Sequence, residues 1–301
     1  MEISRKIWIN DKFLNWDDAN IHILTHTFHY GGGVFEGIRT YNTKKGPAVF
    51  RLPEHIDRLF YSASCLEMEI PFTKEKIKNA VLELIKINNL SECYIRPIVY
   101  FGYENMGLNP KGCPVDVGIA AWSWGAYLGG REAIKVKISK YIRLHPKSII
   151  SDAKICGYYI NSIFASLDAK KSGFDEALFL DFEGNIAEGP GENIFMVKDE
   201  KLFTPNSNSI LKGFTRDTVI NIAKDLNVEV EEKTITVEEL KSADEIFFTG
   251  TAAEIQPIGT IDETIINRRK PGEITEKIKS IYQKIIHGEE DKYLKWLSFV
   301  K

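Results

Sequence analysis

The chain reads as an α+β protein, a mixed α/β architecture in two domains. Three observations predict this. Strand-like and helix-like periodicities alternate along its 301 residues. The length exceeds that of one ordinary domain. A glycine-rich break, Trp124-Gly125-Ala126-Tyr127-Leu128-Gly129-Gly130, lies between two such alternating regions. The expected division is 1–122 for a small N-terminal domain, 123–132 for a linker and 133–301 for a larger C-terminal domain.

In the first region Lys6 to Phe13 predicts a hairpin turning at Asn10-Asp11. Val34 to Tyr41 is a β-rich run. Pro53 to Leu66 carries Ile56, Leu59, Phe60 and Ala63 on one helical face. Thr73 is placed to cap a second helix with Ile77, Ala80, Val81, Leu84 and Ile85 inward. Strands follow at Cys93 to Tyr103 and Val115 to Ala121. In the second region Ile134 to Ile142 alternates as a strand, and a helix from Tyr158 to Lys171 ends at Gly173. Strands Glu176 to Leu180 and Glu192 to Val197 flank a glycine-rich turn. Thr215 is placed to cap a helix to Leu226, and Thr236 with Glu239 forms a capping box. Ile246 to Thr249 is a short buried strand. Pro271 opens a last helix with Ile274, Ile278, Ile281 and Ile285 inward. Both sheets are expected to be mixed.

Composition excludes several classes. A formal charge of −3 gives no electrostatic footprint for nucleic acid or an anionic membrane. The four cysteines form neither a C-x-x-C pair nor a Cys/His zinc pattern, so no metal is expected and reduced thiols are. The start of the chain shows no apolar signal region, and no stretch has the apolar length of a membrane helix. A soluble, cytoplasmic protein is the expectation.

The chemistry-bearing pair is Lys154 and Glu188, 34 residues apart. A lysine can condense with an aldehyde cofactor, and a buried carboxylate can hold a pyridine nitrogen protonated. These are two demands of pyridoxal phosphate chemistry. A lysine taken blindly is usually solvated surface charge, and an acid in a glycine turn usually loop polarity. Ala153 and Ile155 would desolvate Lys154. The third demand is a phosphate cradle. Lys212-Gly213-Phe214-Thr215-Arg216-Asp217 and Thr249-Gly250-Thr251-Ala252-Ala253-Glu254 each offer backbone N–H groups and a hydroxyl. Arg58, on a helix, could add the balancing cation. Tyr94 and Arg96, two apart on a strand, share a face that could grip a carboxylate. Phe35, Gly37, Arg39 and Tyr41 share another, mostly apolar with one cation.

With these residues in view the chain resembles the branched-chain amino acid aminotransferases of the fold-type IV pyridoxal-phosphate enzymes. The resemblance runs from Trp8-Ile9-Asn10 to Trp296-Leu297. It is carried by His29-Tyr30-Gly31, Val34-Phe35-Glu36-Gly37-Ile38-Arg39, Tyr94-Ile95-Arg96-Pro97 and Met106-Gly107-Leu108-Asn109-Pro110. It continues through Trp124-Gly125-Ala126-Tyr127, Glu188 to Phe195, Gly213-Phe214-Thr215-Arg216-Asp217 and Gly250-Thr251-Ala252-Ala253-Glu254.

The resemblance implies the D-amino acid aminotransferase-like two-domain architecture. It implies a pyridoxal 5'-phosphate cofactor carried on Lys154, which then acts as the catalytic base and acid. Tyr159 would bond the phenolic oxygen, Glu188 the ring nitrogen, and Leu211 would pack on the ring. Arg58, Phe214, Thr215 and Thr251 would hold the phosphate. Tyr30, Phe35 and Tyr127 would line the apolar part of the substrate pocket. Arg96, with Tyr94 beside it and Arg39 in support, would take the distal carboxylate of glutamate. Ala252 and Ala253 would receive the α-carboxylate, and Leu108 would reach a partner subunit's site. The implied reaction is transamination of leucine, isoleucine and valine with 2-oxoglutarate, with ping-pong kinetics. The implied assembly is a homodimer at least, with a trimer of dimers as the larger form. D-amino acid aminotransferases and aminodeoxychorismate lyase share the fold and match Lys154 and Glu188, but are less well matched at Tyr94 to Pro97 and Phe35 to Arg39. A non-catalytic cofactor-binding protein would not need the full polar set.

Overall fold

The computed structural model describes residues 3–125 and 130–301. The elements run β1 (Lys6–Ile9), β2 (Lys12–Asn15), α1 (His26–Tyr30), β3 (Gly33–Phe35), β4 (Ile38–Thr43) and β5 (Gly46–Phe50). Next come α2 (Leu52–Ser64), α3 (Lys74–Ile87), β6 (Cys93–Phe101), β7 (Val115–Trp122) and β8 (Ile134–Ile138). Then follow α4 (Tyr159–Lys171), β9 (Glu176–Leu178), β10 (Asn193–Lys198), β11 (Lys201–Pro205) and α5 (Phe214–Asp225). The chain continues through β12 (Val230–Lys233), α6 (Val237–Lys241), β13 (Glu245–Gly250), β14 (Glu254–Ile261) and β15 (Thr264–Ile265). It closes with α7 (Glu273–Ile286) and β16 (Leu297–Phe299).

The chain divides into two compact units. One comprises Met1–Gly125, Ala153–Tyr158 and Lys284–Lys301; the other comprises Ala126–Asp152 and Tyr159–Gln283. The division therefore crosses the chain several times, where the sequence suggested one crossing at 123–132. Pairing explains both extra segments. Ile155 forms a bridge with Val34, and β16 pairs with β5.

In the first unit the strand order is β16-β5-β4-β6-β7-β1-β2, with β3 also on β6. Every pairing is antiparallel, which corrects the expectation of a mixed sheet here. The β1–β2 turn uses Asn10 and Asp11 at φ 44° and 67°, a left-handed pair that these residue types tolerate. The β-rich run after Gly33 is not one strand: it breaks at Glu36-Gly37, between β3 and β4. Leu52, Ile56 and Leu59 of α2 join Ile77, Val81, Leu84 and Ile85 of α3 in one core with Ile38, Ile95, Val99 and Ile119. Each such side chain contributes about 1.5–3 kcal/mol on burial. The Thr73 hydroxyl accepts from the Lys76 N–H and caps α3 as its sequence position requires.

The second unit has the order β12-β11-β10-β13-β14-β8-β9, with β15 on β14. Its sheet is mixed: β11–β12, β14–β8 and β8–β9 are parallel. Ile134, Val136, Leu178, Ile194, Met196, Ile246, Phe248 and Ile258 fill one core. The Thr236–Glu239 capping box is present in full. Two helix starts differ from expectation. Gly213 is the N-cap of α5, so Thr215 lies inside its first turn. The last helix begins at Glu273, with Ile278 and Ile285 fully buried and Ile274 and Ile281 only partly so. Among the described residues no helix is long and apolar enough to cross a membrane.

Candidate active site

In the first unit, Lys154 is held by its backbone. Its N–H donates to Ser62 Oγ at 2.9 Å, and its carbonyl accepts from the Phe35 N–H at 3.1 Å. Ile155 is buried in the core beside it. Two residues on, the Gly157 N–H donates to the Gly31 carbonyl at 3.0 Å. Gly31 has φ +70°, and a Cβ there would come within 2.9 Å of Gly157 Cα, so only glycine permits this approach. Its side-chain Nζ lies 5.2 Å from the centre of the Phe35 ring. The other face of this group is cationic. Arg96 Cζ lies 4.7 Å from the Phe35 ring centre, 5.5 Å from that of Tyr94 and 5.9 Å from that of Trp122. Arg96 Nε is buried with no hydrogen-bond partner among the described residues. An unsatisfied buried donor costs about 1–3 kcal/mol, more for a charged group, and an anion would relieve it.

Nearby in the same unit, Arg58 is gripped from behind. Its Nε donates to Glu36 Oε1 at 2.5 Å and its Nη2 to Oε2 at 2.9 Å. His55 Nδ1 lies 2.7 Å from the same Oε2. Burial alone would raise the Glu36 carboxyl, but Arg58 and His55 outweigh it and hold it far below the carboxylate range. With the acid ionised, His55 is the donor. Burial, and after it the nearby cations Arg58 and Lys154, push the imidazole down despite Glu36.

The second unit centres on Glu188, which is 4% exposed. Its Oε1 accepts from Arg143 Nε at 2.8 Å. Its Oε2 accepts from the Leu211 N–H at 3.0 Å and Asn193 Nδ2 at 3.2 Å. Arg143 is itself steadied by Asn161 Oδ1, 3.2 Å from its Nη1. Asn193 also donates to the Leu211 carbonyl at 2.8 Å and accepts from the Gly213 N–H at 3.2 Å. A Cβ on Gly213 would fall 2.3 Å from Asn193 Oδ1, so glycine is required where the amide crosses. Gly213 starts α5 without a side-chain cap, and Thr215 is buried in its first turn. Arg216 anchors that turn through Pro205 O at 3.2 Å and Glu232 at 2.5 Å. Thr251, Ala252 and Ala253 form the turn from β13 to β14, and Thr249 Oγ1, two residues before, is buried without a partner among the described residues.

The family model for amino-transferase class IV matches residues 33–261. The chain belongs to that family. The branched-chain-amino-acid aminotransferase of Pseudomonas aeruginosa is 45% identical over 298 residues, 98% of this chain and 97% of the relative. The branched-chain amino acid aminotransferase of T.th., solved with N-(5'-phosphopyridoxyl)-L-glutamate, has a TM-score of 0.96 at 40% identity, covering 100% of both chains. The same values hold for that enzyme complexed with 4-methylvaleric acid. This chain is accordingly an aminotransferase of the branched-chain class with the fold-type IV architecture.

Within this aminotransferase the expected site residues fall into groups. Phe35, Tyr94, Arg96 and Lys154 come together in the first unit, as the shared strand face of Tyr94 and Arg96 required. Arg39 is paired across the strands with Tyr94, and its guanidinium lies 5.4 Å from the Tyr41 ring centre. Tyr30 joins a different group: its hydroxyl accepts from the Gly107 N–H at 3.2 Å, next to Leu108, which is 87% exposed. Leu211 touches Glu188 through its backbone. Tyr159 opens α4. Tyr127 lies outside the described residues. Sequence reasoning missed Glu36, His55, Arg143 and Asn193. Glu36 and Asn193 lay inside recognised motifs without an assigned role. His55 carried one signal, its i, i+3 spacing to Arg58. Arg143 follows a strand and belongs to no motif.

Proposed function

We propose that this aminotransferase transfers the amino group of L-leucine, L-isoleucine or L-valine to 2-oxoglutarate, using pyridoxal 5'-phosphate. The residues present fit that cofactor. Arg58 is a pre-aimed cation for its phosphate, joined by the α5 start at Phe214 and Thr215 and by Thr251. The orphaned Thr249 hydroxyl marks the β13–β14 turn as a place where a polar ligand would satisfy a buried atom. Glu188, held from Arg143, Asn193 and Leu211, would meet the ring nitrogen; Leu211 would pack on the ring and Tyr159 would bond its phenolic oxygen. When bound, pyridoxal phosphate supplies an aldehyde for amines and a ring that withdraws electrons from the substrate Cα. Lys154 would carry it, and its amine would move the proton of the substrate Cα as base and then acid. Donor and acceptor use the same residues in turn, so the kinetics are ping-pong.

The observation that carries the substrate assignment is Arg96. Its buried Nε, without a partner among the described residues and beside Phe35 and Tyr94, describes an apolar pocket wall with one carboxylate receptor. Phe35, with Tyr30 and Tyr127, suits a branched side chain. Arg96, supported by Tyr94 and Arg39, suits the distal carboxylate of glutamate and 2-oxoglutarate. The α-carboxylate would meet the Ala252-Ala253 turn. The complexes of the T.th. enzyme with a phosphopyridoxyl glutamate and with 4-methylvaleric acid support both kinds of guest for a protein of this family.

We assign the chain to a homodimer at least, and to a trimer of dimers as its larger form. Leu108 projects from its loop as if to serve a second copy. Ile160, Ile163, Phe164 and Leu167 are each about half exposed at helical spacing on α4, an apolar stripe of the kind that assembly covers. The four cysteines are unpaired thiols, which suits the cytoplasmic setting proposed here.

The test separates the two substrates. In Arg96→Leu the glutamate half-reaction should weaken about 10- to 100-fold, the scale of a charge-assisted contact. The leucine half-reaction should change little. Each is followed alone by the cofactor spectrum. Equal losses would mean that Arg96 serves the shared α-carboxylate or the fold, and this specificity model would fail.

A further inference from the structure

We infer that Glu36 and His55 are positioning residues that aim Arg58, and that they set this site's preference for a phosphorylated over an unphosphorylated pyridoxal. This rests on the reading above that Arg58 holds the phosphate.

Glu36 is wholly buried, at the break between β3 and β4, where its N–H donates to the Pro97 carbonyl at 3.0 Å. A carboxylate there is expensive to desolvate, and a buried ion pair often adds little to stability. Its presence calls for another role. Both its oxygens are engaged by one edge of the Arg58 guanidinium, through Nε and Nη2, in the two-pronged geometry that carboxylates and arginines share. That choice turns the opposite edge, carrying Nη1, away from Glu36. His55 then donates to Oε2 and stops the carboxylate from rotating. His55 and Arg58 are three residues apart on α2, so both reach the same oxygen pair from one helix face.

The arrangement removes the rotamer freedom of an arginine on an otherwise ordinary helix. Its side chain is 12% exposed, against 0% for Glu36. The ordering is complete before any ligand arrives, so binding does not bear that cost. The role is directional and not a matter of net charge, because Glu36 and Arg58 together are neutral. Two accounts therefore predict opposite signs. If charge alone mattered, neutralising Glu36 would leave an uncompensated cation and tighten phosphate binding. If aim matters, the same change weakens it.

The protein, freed of cofactor, is titrated with pyridoxal 5'-phosphate and with pyridoxal, and the ratio of the two Kd values is read from the absorbance change. Glu36→Gln should lower the preference for the phosphorylated form about 10- to 100-fold, with pyridoxal itself changing less than about threefold. His55→Leu should lower the preference in the same direction by a smaller factor, and His55→Gln, which keeps an N–H donor, should restore it. A purely structural role would weaken both ligands together and would not be rescued by glutamine. If Glu36→Gln fails to fold, the His55 pair still decides. Arg58→Met is the control. If it leaves the ratio unchanged, Arg58 is not at the phosphate and the inference falls with that reading. If Arg58→Met collapses the ratio while Glu36→Gln and His55→Leu preserve or raise it, the reading of Arg58 stands and this inference alone is overturned.

Discussion

Each unit contains an arginine paired with a buried glutamate, and the two pairs are built differently. In the first, Glu36 receives two donors from one guanidinium and a third from an imidazole on the same helix. In the second, Glu188 accepts from Arg143, from the Asn193 amide and from the Leu211 N–H. The first is a clamp whose partners lie 19 and 22 residues away in sequence. The second gathers four separate segments, with partners from 5 to 45 residues away. Each carboxylate thus accepts three of these hydrogen bonds, and the difference lies in their source. A two-pronged grip fixes the plane of the Arg58 guanidinium. Bonds from several segments fix the Glu188 carboxylate. Under the proposed function, the first arrangement would orient a cation for a phosphate and the second a carboxylate for a pyridine nitrogen.

The largest effect that would break this comparison is at Glu188. Glu188→Gln keeps the shape and removes the charge. Cofactor should stay bound while the proton-transfer step slows about a hundredfold or more. Near-normal single-turnover rates would show that the second pair only supports the fold, and that the contrast in function is not real.

Asn193→Ala sharpens the same contrast from the side of stability. It removes the amide that joins Glu188, Leu211 and Gly213, and leaves the Leu211 carbonyl and Gly213 N–H without that partner. The expected cost is about 1–3 kcal/mol, read as a lowered denaturant midpoint. A gathered network should suffer more from losing its hub than the helix-borne clamp does from His55→Leu. Equal or smaller loss in Asn193→Ala would remove the distinction.

The smallest effect is in pH. His55 is pushed down on folding, so the unfolded chain takes up a proton first as pH falls through about 6.5, and stability declines below that value. Glu36 is also depressed, and its contribution is present above its ordinary value of 4.5 and lost as pH falls below it. Acid should therefore destabilise the protein in two windows, each by at most about 1.4 kcal/mol per pH unit per proton. The named partners of Glu188 include no group that titrates near neutrality. His55→Gln should flatten the upper window of Tm against pH and leave the lower one. A profile unchanged by His55→Gln would place the upper window elsewhere.

Much of this was legible in the chain. Amphipathic spacing marked α2 and α3, because Ile56, Leu59, Ile77 and Leu84 must share faces to be buried. Thr73 and the Thr236–Glu239 pair marked helix starts, because their side chains satisfy N–H groups close in sequence. Lys154, Glu188 and Arg58 stood out through local motifs. The misses have a common cause. Glu36 and Asn193 look like ordinary polar residues until the chain folds, since their partners lie on other elements. Arg143 belongs to no local pattern, because its partner is 45 residues away. Thr215 was misjudged as a cap because Gly213, with an extended backbone, starts α5 two residues earlier.

The sequence by itself determined the family and the class of chemistry, because motif and spacing are local properties. Only the tertiary structure decided that Lys154 belongs to the first unit, through the Val34–Ile155 bridge and the Gly31–Gly157 approach. It alone decided which residues stand behind Arg58 and Glu188. Orientation of a charged side chain depends on where its hydrogen bonds terminate, and those ends meet only when distant segments pack.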